Sequence, residues 1–221
     1  MTTTGPFVFY TERRLVRLTG RRARTLGELV AHLREVSGAS VFYHTHHLYL
    51  SHHFRRPVFY NDFANWTDEA LQEPALAEQL AAIDLLAFTA IRPLREALLA
   101  VMERHRRRGA ADRECPPGDE FHFCQSQSFV MPTGVVAESP VGLFRQLERV
   151  TSQSLFYHFF GARLRLGRST NDFSAWLEAR GKSLIARAID RLDPYAVSLD
   201  ELKEQIILIG NPHYRRRHRA S

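Results

Sequence analysis

The sequence has few of the features that assign a chain directly to a functional class. Among its 221 residues are only two cysteines, Cys115 and Cys124, which are too few for a disulfide framework. No apolar run approaches the roughly 18 residues needed to cross a bilayer, and Met1 to Phe7 carries no basic leader or apolar signal region. These absences predict a reduced, cytoplasmic protein.

Sequence motifs of common enzymes are also missing. The chain has no phosphate-binding loop, no dinucleotide-binding glycine fingerprint, no His-Glu-x-x-His and no Gly-x-Ser-x-Gly. The two cysteines do not form a Cys-x-x-Cys pair, so thiol chemistry is not indicated. We therefore expect no cofactor, and the balance favours a protein that is not an enzyme.

Lysine is scarce, although the chain is basic. Lys182 and Lys203 are the only lysines among 30 basic residues, and the formal net charge is +6. Most of that charge comes from two arginine clusters, Arg104, Arg106, Arg107 and Arg108 in one, and Arg215, Arg216, Arg217 and Arg219 in the other. Neither cluster is interleaved with aromatic residues, so we interpret them as a solvated linker and tail. Polyanion binding through these arginines is the alternative, and no nucleic-acid module is recognised.

The most informative pattern is internal similarity. Shifting the sequence by 114 residues aligns Phe7 to His44 with Phe121 to His158 without a gap, and 13 of those 38 positions are identical. The triplet Phe-Tyr-His ends both segments. Further along, Asn-Asp-Phe-x-x-Trp occurs at Asn61 and again at Asn171, so the first copy has four extra residues between its two motifs. A period this long indicates a duplicated half-domain rather than a solenoid repeat.

The repeat predicts the organisation of the chain. We expect a first repeat over residues 6–105, a linker over 106–119, a second repeat over 120–214 and a basic tail over 215–221. The predicted fold class is mainly α with short β strands (α+β), with two similar halves packed about a pseudo-twofold axis. Each copy should open with two short extended segments, as in the alternation of Phe7 to Tyr10 and then Leu15 to Leu18.

Helix starts can be placed from capping residues. Thr25 with Glu28 and Ser198 with Glu201 form capping boxes, and Ser139 precedes a proline at a first helical position. Pro74 opens a further helix. Ser40 and Ser154 are predicted N-caps of the helices that carry Phe-Tyr-His, and Asp62 and Asp172 are predicted N-caps of the helices that bury the motif's Phe and Trp.

The polar residues retained in both copies are the candidate site. His44 with Asp62, and His158 with Asp172, suit a hydrogen-bonded acid–base pair, a set of metal ligands, or separate structural roles, in which the aspartate caps a helix while the histidine bonds a carbonyl and packs its ring. Retention in both copies favours the structural reading. Most aromatic residues have helical or strand spacing, which favours a place in the core. The alternative for Tyr43, Trp66, Tyr157 and Trp176 is a binding rim around the pseudo-axis that stacks on sugars.

Histidines are dense after the first triplet, at His44, His46, His47, His52 and His53. On a helix His44 and His47 would be neighbours, so a metal site is conceivable. The run contains no carboxylate, however, and the second copy has Phe160 and Gly161 in place of His46 and His47. We therefore predict no metal site and interpret the run as partly exposed surface.

The second copy also carries a family resemblance, in Ser154-Leu-Phe-Tyr-His-Phe-Phe, Asn171-Asp-Phe-Ser-Ala-Trp-Leu and Arg191-Leu-Asp-Pro-Tyr. These segments resemble an uncharacterised bacterial domain of unknown function whose genes lie near genes of glycosyltransferases and of α-glucan or trehalose metabolism. The resemblance extends over nearly the whole chain. It implies a cytoplasmic role connected with carbohydrate metabolism and gives no catalytic residue.

Three hypotheses of function follow. The first is a non-catalytic binding or regulatory module, whose protein partner would be a carbohydrate-active enzyme. The second is a small metal-dependent or acid–base enzyme with a site built from the repeated His and Asp residues. The third is a polyanion binder that uses the arginine clusters.

Overall fold

The structure is a computed structural model that describes residues 5–47, 59–109, 112–194 and 196–211. His52 and His53 of the histidine run lie outside the described residues. So does the predicted basic tail with Arg215, Arg216, Arg217 and Arg219.

Two long strands and a series of helices make up the described chain. The first half contains β1 (Phe7–Ala23), α1 (Leu26–Glu35), α2 (Gly38–His46), α3 (Asp62–Glu69), α4 (Pro74–Ala81), a 3-10 turn (Leu85–Ala87) and α5 (Ile91–Arg107). The second half contains β2 (Phe121–Ala137), α6 (Pro140–Leu147), α7 (Ser152–Phe156), a π-helical turn (Tyr157–Gly161), α8 (Ala162–Leu166), α9 (Asp172–Glu178), α10 (Ser183–Asp190) and α11 (Leu199–Gly210).

The predicted α+β class is confirmed, because the chain is mainly helical with a two-stranded antiparallel sheet formed by β1 and β2. The prediction of two short extended segments in each copy was wrong. Each copy has one strand of 17 residues, which continues through the polar residues between the two apolar segments. Pairing with the other strand satisfies the backbone along this stretch, so side-chain polarity does not interrupt it. None of the described helices has the length and apolarity needed to cross a membrane.

Several predicted helix starts are confirmed. The Thr25 side chain accepts a hydrogen bond from the backbone N–H of Glu28, and Ser139 accepts one from Gly142 with Pro140 at the first helical position. Ser198 and Glu201 form a complete capping box at the start of α11. These positions were predictable because a cap depends on residues adjacent in the sequence.

The N-caps predicted for the motif helices were wrong. Helices α2 and α7 begin three residues earlier, with Ser37 and Thr151 as their caps, and Ser40 and Ser154 lie inside the first turn. Helices α3 and α9 are capped by Asn61 and Asn171, whose side-chain oxygens accept backbone N–H groups three residues on. Asp62 and Asp172 follow the caps, and their carboxylates are free to bond elsewhere. In both cases the predicted cap side chain is used in tertiary contacts instead.

The described chain divides into two compact units that do not follow the two halves of the sequence. The early unit contains residues 14–47, 59–109 and 112–128, and therefore helices α1 to α5. The late unit contains residues 5–13, 129–194 and 196–211, and therefore helices α6 to α11. Each unit thus combines the helices of one half with the opening strand segment of the other half.

Helices pack in the same order within each unit. In the early unit α1 and α2 contact α5, and α3 contacts α4. In the late unit α6 and α7 contact α11, and α9 contacts α10. Phe123 is fully buried in the early unit and Phe9 in the late unit, so each borrowed strand segment contributes a core side chain. Burying a phenylalanine removes a large apolar area from water, and this stabilises the attachment of the segment.

Candidate functional site

In the late unit, His158 connects a helix to the opening segment of β1. Its Nδ1 lies 2.7 Å from Oδ2 of Asp172, and its Nε2 accepts a hydrogen bond of 2.8 Å from the backbone N–H of Tyr10. Because Nε2 is the acceptor, Nδ1 carries the proton and donates it to the carboxylate. The pKa of His158 is lowered from its ordinary value because the ring is buried. The hydrogen bond to Asp172 opposes this effect only in part. The ring is therefore held neutral with both nitrogens engaged.

Asp172 also binds an arginine. One guanidinium nitrogen of Arg165 lies 2.8 Å from the same Asp172 Oδ2 that accepts from His158, and 2.9 Å from the backbone oxygen of Tyr157. The Arg165 guanidinium lies over the Tyr157 ring, 3.9 Å from its centroid. Burial raises the pKa of the Tyr157 hydroxyl, and the nearby Arg165 opposes this. The carboxylate is consequently fixed from two sides.

The early unit contains the same arrangement around His44. Its Nδ1 lies 2.8 Å from Asp62 Oδ2, and its Nε2 accepts a hydrogen bond of 2.9 Å from the backbone N–H of Cys124. Ser40 donates to the carbonyl oxygen of Cys124 at 2.6 Å, so the two groups of one strand residue are both bound by α2. In the late unit Ser154 donates to the carbonyl oxygen of Tyr10 at the same distance.

Three more contacts recur at matched positions. Thr19 donates to the carbonyl oxygen of Phe123, and Thr133 donates to that of Phe9, both at 2.8 Å. The Trp66 indole N–H donates to the backbone oxygen of Asp119, and that of Trp176 donates to the backbone oxygen of Gly5. Phe63 stacks on Phe121 at 5.2 Å between centroids, and Phe173 stacks on Phe7 at 5.3 Å. In every case the repeated residue holds a residue of a strand, or of the segment just before it, from another part of the sequence.

The eight candidate residues form two groups of four, one in each unit. Tyr43, His44, Asp62 and Trp66 lie together in the early unit, and Tyr157, His158, Asp172 and Trp176 lie together in the late unit. The two tryptophans are 9% and 4% exposed, so both lie mainly in the core. Tyr43 and Tyr157 are half-buried, and burial raises the pKa of Tyr43 as well. Of the predicted aromatic rim, only the tyrosines present part of their surface.

The described part of the histidine run differs from the predicted exposed surface. His46 is buried, its ring is stacked on Phe42 at 4.6 Å between centroids, and Thr45 lies 2.7 Å from its Nδ1. Burial, reinforced by the positive charge of Arg14, lowers the pKa of His46 to about 3. His47 is half-buried and stacks on Tyr43 at 4.6 Å. Within the described ranges, no three His, Cys, Asp or Glu side chains are grouped as a metal site would require.

The cysteines have the environment of structural residues. Cys115 is buried and its backbone N–H bonds to the carbonyl oxygen of Arg24. Burial raises the pKa of both the Cys115 and the Cys124 thiol, so neither is activated as a thiolate.

A cavity of about 840 Å³ lies in the late unit beside the His158–Asp172 pair. Tyr10, Tyr157 and Phe7 form its aromatic side. Its charged lining residues are Arg165, Arg168, Asp172 and Glu178, and Trp176 and His158 also border it. A volume of this size is typical of small-molecule sites.

The π-helical turn Tyr157–Gly161 lies next to this cavity and joins α7 to α8. Such turns are rare and occur often at functional sites. In the early unit, α2 is an α-helix through the matching residues up to His46. The wider turn therefore distinguishes the two units at the Phe-Tyr-His motif.

Several cavity residues were not predicted from the sequence. Arg165 and Arg168 lie between the two repeated motifs, where the copies differ in length, and Tyr10 aligns with a cysteine. A search for residues retained in both copies passes over such positions. The length difference itself was the available signal, because it marked the segment in which the copies diverge.

Together the fold and the site describe a mainly helical α+β protein in which buried histidines, each paired with an aspartate, anchor strand segments. The chain belongs to DUF5752, a family of unknown function whose model matches residues 4–210. It is similar to the solved structure of OrfY from Thermoproteus tenax, with 31% sequence identity, a TM-score of 0.80 and coverage of 94% of each chain. No match was found among functionally curated proteins. The resemblance to a domain of unknown function is thereby confirmed.

Proposed function

We propose that the chain is a non-catalytic binding or regulatory module whose binding site is the late-unit cavity. The observation that carries this proposal is the use of both ring nitrogens in each repeated histidine. Nδ1 donates to a carboxylate, and Nε2 accepts from a strand N–H in both units. A histidine bonded in this way has no lone pair left for a substrate proton or a metal ion.

The hydrogen bonds at both ring nitrogens argue against the second hypothesis, an enzyme site built from His44, Asp62, His158 and Asp172. General-base catalysis requires a nitrogen within reach of a substrate, and metal ligation requires a free lone pair. Either use would break a hydrogen bond to the backbone of a strand segment that each unit needs for its core. The two pairs are therefore better explained as anchors.

The module is proposed to act in the cytoplasm in a role connected with carbohydrate metabolism, as the family resemblance implies. A carbohydrate-active enzyme is the proposed protein partner, and a ligand in the cavity would regulate that association. The cavity supports the binding function because it combines aromatic surface with charged groups at one place.

The matched contacts also support an internal duplication. The contacts that hold the strand segment in the early unit have counterparts in the late unit at the positions given by the sequence repeat, including the hydrogen bonds of Ser40 and Ser154. Equivalent halves of this kind commonly pack about a twofold axis, and the pseudo-twofold arrangement and the repeat boundaries stay predictions.

Polyanion binding has less support. In the cluster at the end of α5, Glu103 lies among the arginines and pairs with Arg34 at 2.5 Å and with Arg107 at 3.6 Å. These carboxylate contacts reduce the positive field that a polyanion would meet.

The proposal is tested by nitrogen NMR of the imidazole rings and by ligand screening. At about pH 8, where histidine is ordinarily neutral, both His44 and His158 should be protonated at Nδ1. Unfolding temperatures measured with a metabolite library should identify a ligand whose effect is lost in Tyr157→Ala and kept in the matched early-unit variant Tyr43→Ala.

Protonation at Nε2, or a shift of the Nε2 resonance on addition of zinc, would contradict the anchoring role. A ligand effect that Tyr43→Ala removes and Tyr157→Ala leaves intact would contradict the choice of site.

A further inference from the structure

The late-unit cavity has a balance of charge that restricts its ligand. Its lining contains two arginines, Arg165 and Arg168, and two carboxylates, Asp172 and Glu178, so the formal charges cancel. Arg165 is already paired with Asp172 at 2.8 Å, and the neighbouring His158 is neutral because its Nε2 accepts the backbone N–H of Tyr10. An anion entering the cavity would meet as much negative as positive charge. Electrostatics therefore favour a neutral ligand over a phosphate or a carboxylate.

The hydrogen-bonding groups of the cavity are arranged for hydroxyls. Both bonds to Asp172, from His158 and from Arg165, go to Oδ2, and Oδ1 accepts no hydrogen bond from the described residues. Arg168 and Glu178 are exposed, and neither has an ion-pair partner within the described ranges. The cavity thus offers carboxylate acceptors and guanidinium donors together, and a hydroxyl group can use both because it donates and accepts.

An aromatic surface accompanies these polar groups. The rings of Tyr10 and Tyr157 lie 6.1 Å apart between centroids, and Tyr10 is 36% exposed. Arg165 lies against Tyr157 and restrains its orientation. Aromatic faces pack against apolar C–H surfaces, and their hydroxyls add polar edges. At the position that matches Tyr10, the early unit has Cys124, so this pair of tyrosines belongs to the late unit alone.

We propose that the late-unit cavity binds a neutral polyhydroxylated ligand of the saccharide class, with Asp172 as a fixed acceptor for a ligand hydroxyl and Tyr10 and Tyr157 as the packing surface. This inference rests on the proposed binding function and names the chemical class of its ligand.

The experiment measures binding of four probes to the whole chain by saturation-transfer NMR and calorimetry. Maltose and cellobiose represent neutral saccharides with different linkages, and glucose 6-phosphate and inorganic phosphate represent anions. At least one of the two neutral disaccharides should bind at concentrations up to about 20 mM, a range that covers weak millimolar affinity. Glucose 6-phosphate should bind no more tightly than that disaccharide.

Three variants in the cavity and one outside it locate the binding. Tyr10→Ala, Arg168→Ala and Glu178→Gln should each weaken saccharide binding by about tenfold, the effect of losing one good contact. These side chains are exposed, and the hydrogen bonds of Tyr10 to His158 and Ser154 use its backbone, so the fold should be retained. Tyr43→Ala in the early unit is the matched control and should leave saccharide binding unchanged.

The possible results separate this inference from the proposed function. If phosphate or glucose 6-phosphate binds, neither disaccharide binds, and Arg168→Ala removes the binding, the ligand class is wrong and the binding function stands. Absence of saccharide binding by the wild-type chain overturns the inference. Saccharide binding that all three cavity variants leave intact also overturns it, because the site would then lie elsewhere.

Discussion

The early and late units share the contacts that attach a strand segment to helices and differ in the residues around those contacts. His44 and His158 bond to residues at matching positions, and so do Ser40 and Ser154. Only the late unit has a π-helical turn at this place, an arginine on its paired aspartate among the described residues, and a tyrosine where the early unit has a cysteine. The contacts that the two units share belong to the framework, and the differences between the units lie at the candidate site.

A second difference lies inside the two cores. Where the early unit stacks His46 on Phe42, the late unit stacks Phe160 on Phe156, at 4.6 and 5.1 Å between centroids. In the late unit the Asn171 side chain donates a hydrogen bond of 2.8 Å to the Asp190 carboxyl group. In the early unit the Asn61 side chain donates to the backbone oxygen of Leu80, which occupies the position matching Asp190. Equivalent backbones thus tolerate a polar or an apolar neighbour, provided that each polar group finds a partner.

The largest expected effect tests the exchange of strand segments. Phe9→Ala and Phe123→Ala should each lower the free energy of unfolding of one unit by about 3–5 kcal/mol, because each removes a fully buried ring. The chain has two tryptophans, Trp66 in the early unit and Trp176 in the late unit. When one tryptophan is replaced by phenylalanine, the fluorescence of the remaining one reports on its own unit.

Phe9→Ala should shift the denaturant transition of Trp176, and Phe123→Ala should shift that of Trp66. The reverse assignment would show that the strand segments belong to the helices of their own half. That result would break the comparison between the units.

The next effect concerns the histidine anchors. His44→Ala and His158→Ala should each cost about 2–3 kcal/mol, since each leaves a strand N–H without its acceptor and removes a buried ring. Urea unfolding followed by circular dichroism measures the change. The two costs should be similar, and a loss below about 0.5 kcal/mol in either variant would mean that its ring is not anchoring the strand.

A further effect depends on pH, is smaller than the anchor losses when it is counted per pH unit, and distinguishes the two cores. The pKa of His46 is about 3 in the folded chain and about 6.5 when unfolded, so between these values only the unfolded state takes up the proton. The free energy of unfolding should therefore fall as pH decreases through this window, by about 1.4 kcal/mol per pH unit from this residue.

His46→Phe should remove that contribution and make the acid dependence of unfolding less steep, as measured by urea titrations at several pH values. Phe160→His is the matched change in the late unit and should add a similar dependence there. Equal acid dependence in the wild type and in His46→Phe would show that the imidazole is protonated in the folded chain.

The smallest expected effect comes from the serine hydroxyls. Ser40→Ala and Ser154→Ala each remove one hydrogen bond of 2.6 Å to a strand carbonyl and should each cost about 1 kcal/mol. Thermal unfolding measures this cost. A much larger loss in one variant would indicate that the two anchors are not energetically equivalent.

The sequence predicted the local part of the fold better than the tertiary part. Capping at Thr25, Ser139 and Ser198 followed from neighbouring residues, and so did the α+β class. Ser40 looked like a cap because serine is common there, yet its hydroxyl bonds to Cys124, 84 residues away. No local pattern contains that contact, because it depends on which strand segment the helix receives.

The candidate site shows the same limit. Pairing of each repeated histidine with an aspartate was one of the alternatives that the sequence left open, and the structure has both hydrogen bonds. The favoured alternative, in which the aspartate caps its helix and the histidine bonds a carbonyl, was wrong. The backbone partners of the histidines were not predictable, since they belong to the opposite half of the sequence. Whether a histidine is an anchor or a base depends on its second nitrogen, and the partner of that nitrogen is visible only in the folded chain.

The borrowed strand segments have a consequence for biosynthesis. Residues 5–13 leave the ribosome long before α7 and α9, yet the core of the late unit requires both. The early unit in turn waits for residues 121–128 although its own helices are already made. Neither unit can therefore complete its folding before residues 121–128 have been made, because each core includes a segment from the other half of the chain.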